Sequence, residues 1–537
     1  MSTVVDVAPA AIVRRRHATR FHEWVEQHRT SLYVLGPLLI VVEAANLWNL
    51  QGWPMYVDDD EGTYVAQAWA VIHLHHLAPY TYWYDHPPLG WILMGAYIWV
   101  TDGLQRYTVA VMAGREFMWV INGVACVLLY VLARRLGMRR VFAAAAVVWF
   151  GLSPLAIFFH RSVWLDNIGT LWLLAALTVA VSPKRGLGTA MGSAVCMSLA
   201  VLSKETLLLM LPVWIILLWR NSGERHRGFW LASCIFSFIV FIGYPLFAAL
   251  RGELFPGPAH VSLIGAIEWQ LLSRQSSGSI LDSTSGTYGR ALMWLHQDPW
   301  LIGVGLACTL IAMFIRRTRP FTIGLVMQMG MLIKGGYIPY PFVIASIPML
   351  ALVIAGVADT WWQPGPGFLA RLSGVPRHAR QPNVPRQRRL RQVMTVTGRG
   401  LVVAFVVAFA AVASPAWARA LVAQSHADGP ASTIAAERWV EEHVPAGDVV
   451  VVNDYMWTDL KIHSNVTPLW LWKIDLDPWV MQHVLPKGWR SIDYIIWAPL
   501  STAVDLSELP TLKTALAHGK LVRSFGDQIV AYKVQNG

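Results

Sequence analysis

Long apolar stretches, separated by short polar segments, run through residues 31–418. Because about 20 consecutive apolar residues cross a hydrocarbon core about 30 Å thick, a stretch of roughly that length predicts a transmembrane helix. On this basis we predict about eleven spans. They lie at about 31–50, 115–134, 141–159, 165–182, 187–203, 206–219, 229–250, 299–315, 321–335, 340–360 and 399–418. The pattern therefore predicts an α-helical polytopic membrane protein.

The pattern changes after about residue 418, where shorter β-rich runs replace the long apolar stretches. Asp448 to Asn453, Asp493 to Trp497 and Leu521 to Val534 predict strands. Ser432 to His443 predicts a capped amphipathic helix. We therefore expect residues 419–537 to form a small C-terminal α/β domain.

The charged residues are few and lie mostly in the loops. Only 14% of the chain is charged, against about a quarter in an ordinary soluble domain, which excludes a soluble enzyme. The net charge of +11 would suggest a nucleic-acid partner in a soluble protein, but basic residues in membrane loops report topology instead. We therefore expect membrane lipid and no nucleic acid as a partner.

The basic residues are distributed unevenly between alternate loops. When alternate loops before residue 419 are assigned to opposite sides of the membrane, the loops of one side hold 25 Lys and Arg residues and those of the other side hold eight. The positive-inside rule places the richer set, with the basic tail 1–30 and the Arg-rich loop 361–398, in the cytoplasm. The first loop (51–114), the second large loop (251–298) and the segment 419–537 are then extracytoplasmic. Because Arg outnumbers Lys by 34 to 9, we expect the plasma membrane of a bacterium.

The first outer loop begins with four consecutive acids, Asp58 to Glu61. Carboxylates packed this tightly repel one another, so at least one should have a raised pKa and be suited to accepting a proton. The other interpretation is a solvated acidic cap at a helix N-terminus, where the helix dipole favours acids. Spacing alone does not choose between them.

The remaining outer loops also carry polar residues, which are costly at a membrane and usually functional. Carboxylates there suit a base or a metal, and separated cations suit an anionic phosphate. Taken singly, Lys204 could be a snorkelling residue and Arg161 could pair with Asp166. The set comprises His160, Arg161, Asp166, Asn167, Ser203, Lys204, Glu205, Arg251, Arg274, Arg290 and His296.

In this order the motifs resemble those of the C-type (GT-C) glycosyltransferases. The narrower resemblance is to the protein O-mannosyltransferase and aminoarabinose transferase group, which move a sugar from a polyprenyl phosphate. It rests on Asp60-Glu61, Asp85-His86-Pro-Pro-Leu-Gly90, Arg115, Arg161-x4-Asp166 and Leu202-Ser-Lys204. The motifs cover about residues 30–220, and residues 220–360 agree in layout only.

The resemblance implies an inverting glycosyltransferase that moves a hexose or pentose to a hydroxyl of a protein, lipid or polysaccharide acceptor. It makes Asp60 the base, although the two preceding acids, Asp58 and Asp59, leave the alignment of the Asp-Glu motif open. It also implies that segment 86–104 lies along the membrane surface. The catalytic residues we expect are Asp60, Glu61 and Asp166. The residues we expect at the donor phosphate are Arg115, Arg161, Lys204, Arg274 and Arg290. The substrate-binding residues we expect are Asp59, Tyr64, Tyr84, Asp85 and His86.

A divalent cation (Mg²⁺, Mn²⁺ or Zn²⁺) is a further expectation at Asp60, His86 and Asp166, whose oxygen and nitrogen donors suit it, although no spacing requires one. Two other classes of function stay open. A lipid-linked glycan transporter or flippase would also have many spans and buried charges, but it tends to show internal repeats and charges at the midplane. A membrane-anchored binding protein would act through its outer domain alone.

Overall fold

The structure is a computed structural model, and it describes residues 10–54, 60–224, 227–257, 261–363, 385–499 and 506–535. The first part of the chain, up to Trp362, is helical. Its α-helices are α1 (Ala10–Leu47), α2 (Asp60–His73), α3 (Leu89–Thr101), α4 (Gly103–Arg106), α5 (Val111–Arg135), α6 (Arg140–Leu152), α7 (Pro154–Arg161), α8 (Leu165–Ala180), α9 (Leu187–Ser203), α10 (Leu211–Ser222), α11 (Arg227–Leu250), α12 (Leu263–Glu268), α13 (Gly286–Gln297), α14 (Pro299–Ala312), α15 (Arg319–Lys334) and α16 (Ser346–Trp362). Short 3-10 turns at Glu205–Met210 and Tyr340–Val343 lead into α10 and α16.

Within the described ranges, five helical stretches are long and apolar enough to cross a bilayer, and a bent pair would make a sixth. The five are Val25–Leu47, Val111–Arg135, Arg227–Leu250, Tyr340–Trp362 and Gln392–Ser425, and the pair is Arg140–Leu152 with Pro154–Arg161. Helices α8 and α9 are also apolar, but each is shorter than the 18 residues required of a span here. The membrane character of the chain agrees with the sequence, whereas the number of eleven spans stays a prediction.

The stretches differ in how much of their surface the protein covers. The window within Tyr340–Trp362 is 89% buried, so this helix is apolar all round because it lies at the centre of the bundle. The windows within Val25–Leu47 and Gln392–Ser425 are each 11% buried. Their apolar side chains face outward, as expected for helices that contact lipid.

Helix α5 separates two groups of charged loops. Its 25 residues extend about 37 Å at 1.5 Å per residue, with Arg115 near one end and Arg135 at the other. At the Arg135 end, Asp359 forms ion pairs with Arg139 at 2.7 Å and with Arg317 at 2.5 Å. Arg139 and Arg317 come from loops that the charge pattern assigns to one side, so the structure supports that grouping.

The C-terminal part contains helices around a small mixed sheet. Its α-helices are α17 (Pro385–Ala408), α18 (Ser414–Ser425), α19 (Ala431–His443), α20 (Asp454–His463), α21 (Lys473–Leu476), α22 (Pro478–His483) and α23 (Pro510–Ala517). Its strands are β1 (Val449–Val452), β2 (Thr467–Trp470), β3 (Tyr494–Trp497), β4 (Gly519–Phe525) and β5 (Ile529–Val534).

In the described residues the strand order is β2-β1-β3-β5-β4. Strand β1 runs parallel to β2 and β3, and β5 runs antiparallel to β3 and β4. The three predicted strand regions and the predicted helix are confirmed, and β2 is an addition. The extracytoplasmic position of this part stays a prediction.

Helix α17 differs from the sequence prediction. It begins at Pro385, inside the segment 361–398 that the sequence assigns to an Arg-rich loop. Arg and Gln are good helix formers, so once Pro385 occupies the first turn, the Arg-rich run continues into the apolar span. Residues 364–384 of this predicted loop lie outside the described part of the chain.

The C-terminal part docks on the first outer loop, and this contact positions the site. The N–H of Thr63 in α2 donates to Asp454 at 2.6 Å. The N–H of Ala110 donates to Asp459 at 2.7 Å. Because Gly62 has no side chain, α2 can approach the backbone of Asp454 and Tyr455 more closely than any other residue would permit.

Candidate functional site

A buried lysine lies at the centre of the candidate site. Lys204 follows the last residue of α9 and is 2% exposed. Its Nζ lies 3.0 Å from Nε2 of His86 and 3.8 Å from a carboxylate oxygen of Asp166. Nδ1 of His86 in turn lies 3.0 Å from a carboxylate oxygen of Glu205. A cation therefore lies between an imidazole and a carboxylate, away from water.

The contacts of His86 determine its preferred tautomer. An ammonium can only donate, so Nε2 must accept from Lys204 and Nδ1–H must donate to Glu205. A doubly protonated ring would direct a second donor at the ammonium. The arrangement therefore favours a neutral His86 that is held in place by two charged neighbours.

The charges of this cluster shift one another's pKa values. Burial lowers the pKa of Lys204, but Asp166, Glu205, Asp60 and Asp85 outweigh burial and raise it. Burial likewise lowers the pKa of His86, and the Glu205 carboxylate outweighs this and raises it. Burial raises the pKa of Glu205, but His86 and Lys204 bring it down to about 2. The cluster thus keeps Lys204 charged although it is buried.

Asp60 and Asp85 lie at the edge of the same cluster. Both act electrostatically on Lys204, so both carboxylates lie near it. Asp60 is the first residue of α2 and is partly exposed, whereas the next residue, Glu61, is buried. Oδ1 of Asp85 is buried and has no hydrogen-bond partner among the residues that the structure describes. Asp60 therefore combines proximity to a cation with access from solvent.

Glu61 and Arg115 form a buried ion pair. Arg115 is fully buried and donates to both oxygens of Glu61, at 3.1 and 2.8 Å. Its remaining N–H groups donate to the carbonyls of Leu50 and Pro54, and the N–H of Val163 donates to Glu61. This pair ties the first loop to α5. It supports a positioning role for both residues, whereas the roles in catalysis and phosphate binding expected from the sequence stay predictions.

Arg161 lies close to this pair but is bound differently. It donates to the carbonyl of Trp48 at 2.5 Å and lies 5.3 Å from the ring centroid of Trp53. In the described residues the ion-pair partner of Asp166 is Lys204, so the alternative of an Arg161–Asp166 pair is not seen. Nε of Arg161 is buried without a hydrogen-bond partner in the same ranges.

A group of tyrosines holds the backbone of His86 from the other side. Tyr82 donates to the His86 carbonyl at 2.6 Å, and its hydroxyl lies 2.7 Å from that of Tyr244 in α11. Tyr84 donates to Glu253 at 2.5 Å. The ring of Tyr64 lies 6.1 Å from that of His86. Tyr82 therefore fixes the His86 carbonyl, and Tyr64 and Tyr244 bring two distant segments of the chain next to it.

Two of the predicted phosphate-binding arginines form a second cluster around Tyr337. The Arg274 guanidinium lies 3.3 Å from the ring centroid of Tyr337, and that of Arg290 lies 5.7 Å from it. Arg290 also donates to Ser277 and to the carbonyl of Ile338. Both arginines are half-buried. They offer cationic N–H groups that an anion could reach.

The architecture was compared with known proteins. The sequence matches no protein-family model, and no curated protein matches it. Among solved structures, ArnT from Cupriavidus metallidurans, bound to undecaprenyl phosphate, matches with TM-score 0.56 and 14% identity over 93% of this chain and 97% of that one. AglB, the oligosaccharyltransferase of Archaeoglobus fulgidus in complex with an inhibitory peptide and a dolichol-phosphate, matches with TM-score 0.51 and 13% identity over 95% and 75%.

The chain has the GT-C fold. At these identities the likeness establishes the architecture, and it agrees with the resemblance that the motifs suggest.

Within this GT-C fold the predicted site residues that the structure describes occupy four places. His86, Asp166 and Lys204 meet directly, with Asp60, Tyr64 and Asp85 beside them. The Glu61–Arg115 pair and Arg161 lie at the base of the first loop, and Arg274 and Arg290 lie at Tyr337. Tyr84 is bound to Glu253. The predicted Asp59 lies outside the described residues.

A divalent cation does not fit the predicted ligand set. Both ring nitrogens of His86 are occupied by Glu205 and Lys204, and Lys204 lies beside Asp166 where a metal would have to sit. Across the described ranges, no group of three or more His, Cys, Asp or Glu side chains is arranged to hold a metal ion. We therefore assign no step to a metal.

Several residues of the site were not predicted from the sequence. Glu205 follows Lys204 directly, and a charged pair at the end of an apolar helix was a signal for it. Tyr244 is a polar residue in the otherwise apolar α11, which was also a signal. The contact of Glu253 with Tyr84 joins residues 169 positions apart, and no local pattern indicates it.

Proposed function

We propose that the protein is an inverting glycosyltransferase that moves a sugar from a polyprenyl-phosphate donor to a hydroxyl of an acceptor on the extracytoplasmic face of a bacterial plasma membrane. The observation that carries the proposal is the buried Lys204, held between His86, Asp166 and Glu205 beside the partly exposed Asp60. The lipid phosphates bound to ArnT and AglB, whose architecture this chain shares, favour a donor of that class.

The cations serve the donor. A sugar on a lipid phosphate leaves as a phosphate anion, which is stable without prior protonation, so the site needs positive charge rather than a general acid. Lys204 and Arg274 are the residues that we assign to the phosphate. Charge-assisted hydrogen bonds to it strengthen as the bond between the anomeric carbon and the phosphate oxygen breaks.

Asp60 serves the acceptor. A hydroxyl has a high pKa, so a carboxylate within hydrogen-bond reach must take its proton as the oxygen attacks. The new bond forms between the acceptor oxygen and the anomeric carbon, the proton moves to Asp60, and the lipid phosphate departs with the electron pair. One displacement of this kind inverts the anomeric centre.

Helix α2 carries the proposed base and also anchors it. Asp60 opens the helix, where the dipole stabilises its ionised form, and the adjacent Glu61 anchors the helix to Arg115. Tyr64 lies one turn further on, near His86. The base is thus held by a buried ion pair, which limits its motion relative to Lys204.

The test is turnover of a panel of radiolabelled polyprenyl-phosphate sugars by the purified protein in nanodiscs. We expect wild type to consume at least one donor. Asp60→Asn should react about 100-fold more slowly or worse, because a general base usually contributes at least that factor to the rate. Asp102→Asn, which changes an exposed carboxylate in the same loop, is the matched control. Full activity of a folded Asp60→Asn protein would place the base elsewhere, and turnover of no donor by wild type would refute the proposal.

A further inference from the structure

A buried ion pair of the C-terminal part faces the first outer loop. Nζ of Lys473 in α21 lies 3.4 Å from a carboxylate oxygen of Asp477, the residue before α22. Both side chains are buried. A buried pair often adds little net stability, because both charges lose their water, so its presence needs another reason. The proposed reaction uses neither residue.

Both residues of the pair bind one short segment of that loop. The N–H and the hydroxyl of Thr81 donate to Asp477 at 3.2 and 2.8 Å. Nζ of Lys473 lies 3.4 Å from the carbonyl oxygen of Thr81 and 3.3 Å from the ring centroid of Trp83. The pair therefore engages all three polar groups of Thr81.

The pair is itself fixed within the C-terminal part. Asp477 also accepts from the N–H groups of Trp479 and Val480 in the first turn of α22. Burial lowers the pKa of Lys473 to about 8, while Asp477 and Asp85 oppose this shift, so the ammonium stays charged at neutral pH. A charged pair with fixed hydrogen bonds is suited to holding a backbone segment in place.

The segment needs such support because its backbone is strained at Tyr84. The φ angle of Tyr84 is 58°, in the left-handed region, which costs a residue other than glycine about 1–3 kcal/mol. Such a conformation persists only where the surrounding structure imposes it. The Tyr84 hydroxyl is bound by Glu253 of the second outer loop at 2.5 Å, and the Lys473–Asp477 pair holds the residues just before Tyr84.

The strained turn leads directly to His86. Tyr82, between the two residues that the pair contacts, donates to the His86 carbonyl at 2.6 Å. The His86 ring bridges Lys204 and Glu205, with 3.0 Å on each side. A shift of the turn would draw this ring away from Lys204, the proposed phosphate ligand. Because a displacement of about 1 Å can cost about 100-fold in rate, the placement of the turn matters for the reaction.

We infer that Lys473 and Asp477 are positioning residues, which hold the turn at residues 81–86 so that the His86 ring meets Lys204. The inference rests on the proposed function for its consequence in catalysis, but not for the placement of His86. The C-terminal part of the chain then shapes the loop that carries the imidazole.

Two variants release the turn without dismantling the fold. Lys473→Met removes the ammonium and keeps an unbranched side chain, while Asp477 keeps its four hydrogen-bond donors. Thr81→Ala removes one of these donors and leaves no charge unpaired. The two backbone hydrogen bonds that dock α20 on the first outer loop stay intact. Lys533→Met is the matched control, because Lys533 is an exposed lysine of the same part with its Nζ 5.5 Å from the Tyr494 ring centroid.

Nitrogen NMR of the histidines tests the placement. The full chain, labelled with ¹⁵N-histidine, is placed in nanodiscs at neutral pH, and the His86 signals are identified by their loss in His86→Ala. Wild type and the Lys533→Met control should show a neutral ring that is protonated at Nδ1 and accepts at Nε2. In Lys473→Met and Thr81→Ala, both His86 signals should move toward those of a free imidazole. Signals that stay in place in the folded variants would overturn the inference.

A double-mutant cycle tests the consequence for turnover. With a polyprenyl-phosphate sugar that wild type consumes, we expect Lys473→Met to lower kcat/KM about tenfold. In the His86→Ala background the same change should lower it less than about twofold, because no imidazole is left to position. Equal factors in the two backgrounds would show that Lys473 acts through folding alone, which would also overturn the inference.

The inference and the proposed function can fail separately. His86 signals that move in the variants, without turnover of any lipid-linked donor by wild type, would refute the proposed function and leave the placement of His86 standing. Turnover of a donor, with His86 signals that do not move, would refute the inference and leave the proposed function standing.

Discussion

The central residues of the site contact partners that are far away in sequence. His86 and Lys204 are 118 residues apart, and Glu61 and Arg115 are 54 apart. The residue types and their outer-loop positions could be predicted from the chain, because charges near a membrane are costly. Their partners could not, because spacing along helices carries no information about which loops meet. The ion pair of Arg115 with Glu61 is an example, and the role of Arg115 at the phosphate stays a prediction.

The Glu61–Arg115 pair should contribute strongly to stability. Arg115→Met leaves the Glu61 carboxylate buried without its cation, so we expect a loss of about 3–5 kcal/mol of unfolding free energy. Arg106→Met removes one partner of the more exposed Arg106–Glu116 pair and should change the unfolding free energy far less, because exposed ion pairs contribute little. Thermal unfolding in nanodiscs measures both. Equal melting temperatures for Arg115→Met and wild type would contradict the structural role.

The His86 contacts predict an acid limit of activity. As pH falls through the raised pKa of His86, its protonated ring directs a second donor at Lys204, so activity should fall. Because the Glu205 carboxylate raises this pKa, Glu205→Gln should move the acid limb of kcat/KM to lower pH. The pH–rate profiles of the two proteins measure the shift. A limb that stays in place would show that His86 does not set it.

At the scale of elements, α2 connects the parts of the site. Its first residue is the proposed base, and its buried glutamate anchors it to α5. The helix begins at Asp60, because the acids Asp60 and Glu61 form its first turn. Its docking on α20 depends on Gly62.

Gly62→Ala should loosen this docking. An added methyl group would overlap the backbone nitrogen of Tyr455, which cannot move aside as a flexible side chain could. We expect a loss of about 1–3 kcal/mol, as for other overpacked contacts. In Gly289→Ala the new methyl has no atom of the described structure within 4 Å, so this control should be neutral or stabilising. Limited proteolysis and melting curves compare them, and equal behaviour would contradict the close approach.

The contact between α19, α20 and Ala110 should weaken at alkaline pH. Burial raises the pKa of Asp459 to about 8 and raises that of its neighbour Glu437, and Glu441 adds to both shifts. A carboxyl whose folded pKa is raised stabilises the fold fully below its unfolded pKa, and this contribution is lost as pH rises through about 8.

The test is the melting temperature as a function of pH. Wild type should melt at lower temperature as pH rises through about 8, and Asp459→Asn should flatten the dependence, since its amide oxygen can still accept from Ala110. Asp527→Asn, at an exposed turn, should keep the wild-type dependence. A curve for Asp459→Asn that follows wild type would show that Asp459 does not titrate in this range.

Most strands could be predicted, and the exception has a physical reason. DVVVVN and DYIIW are β-branched or aromatic runs bounded by Asp or Asn, a combination typical of buried strands. Strand β2 contains Pro468 and only four residues, and proline argues against a strand unless the strand is at an edge. Its edge position in the sheet could not be known before the fold.

At the scale of the whole molecule, the sequence and the structure agree on a membrane protein with its polar chemistry gathered at one end. Arg139 and Arg317, from two of the arginine-rich loops, meet at Asp359, and the Glu61–Arg115 pair beside the proposed site lies at the opposite end of α5. The chain has the GT-C fold although its sequence is only 14% identical to that of ArnT. Apolar patterning therefore determines this architecture, while a small number of buried charges specifies the site.

The anomeric configuration of the product tests the central claim most directly. A lipid-linked donor of known configuration is incubated with the protein and an acceptor, and the transferred sugar is examined by NMR. A single displacement between Asp60 and the phosphate held by Lys204 predicts complete inversion, together with one polyprenyl phosphate released for each sugar transferred. Retention of configuration would require a covalent intermediate or a second displacement, and it would contradict the account.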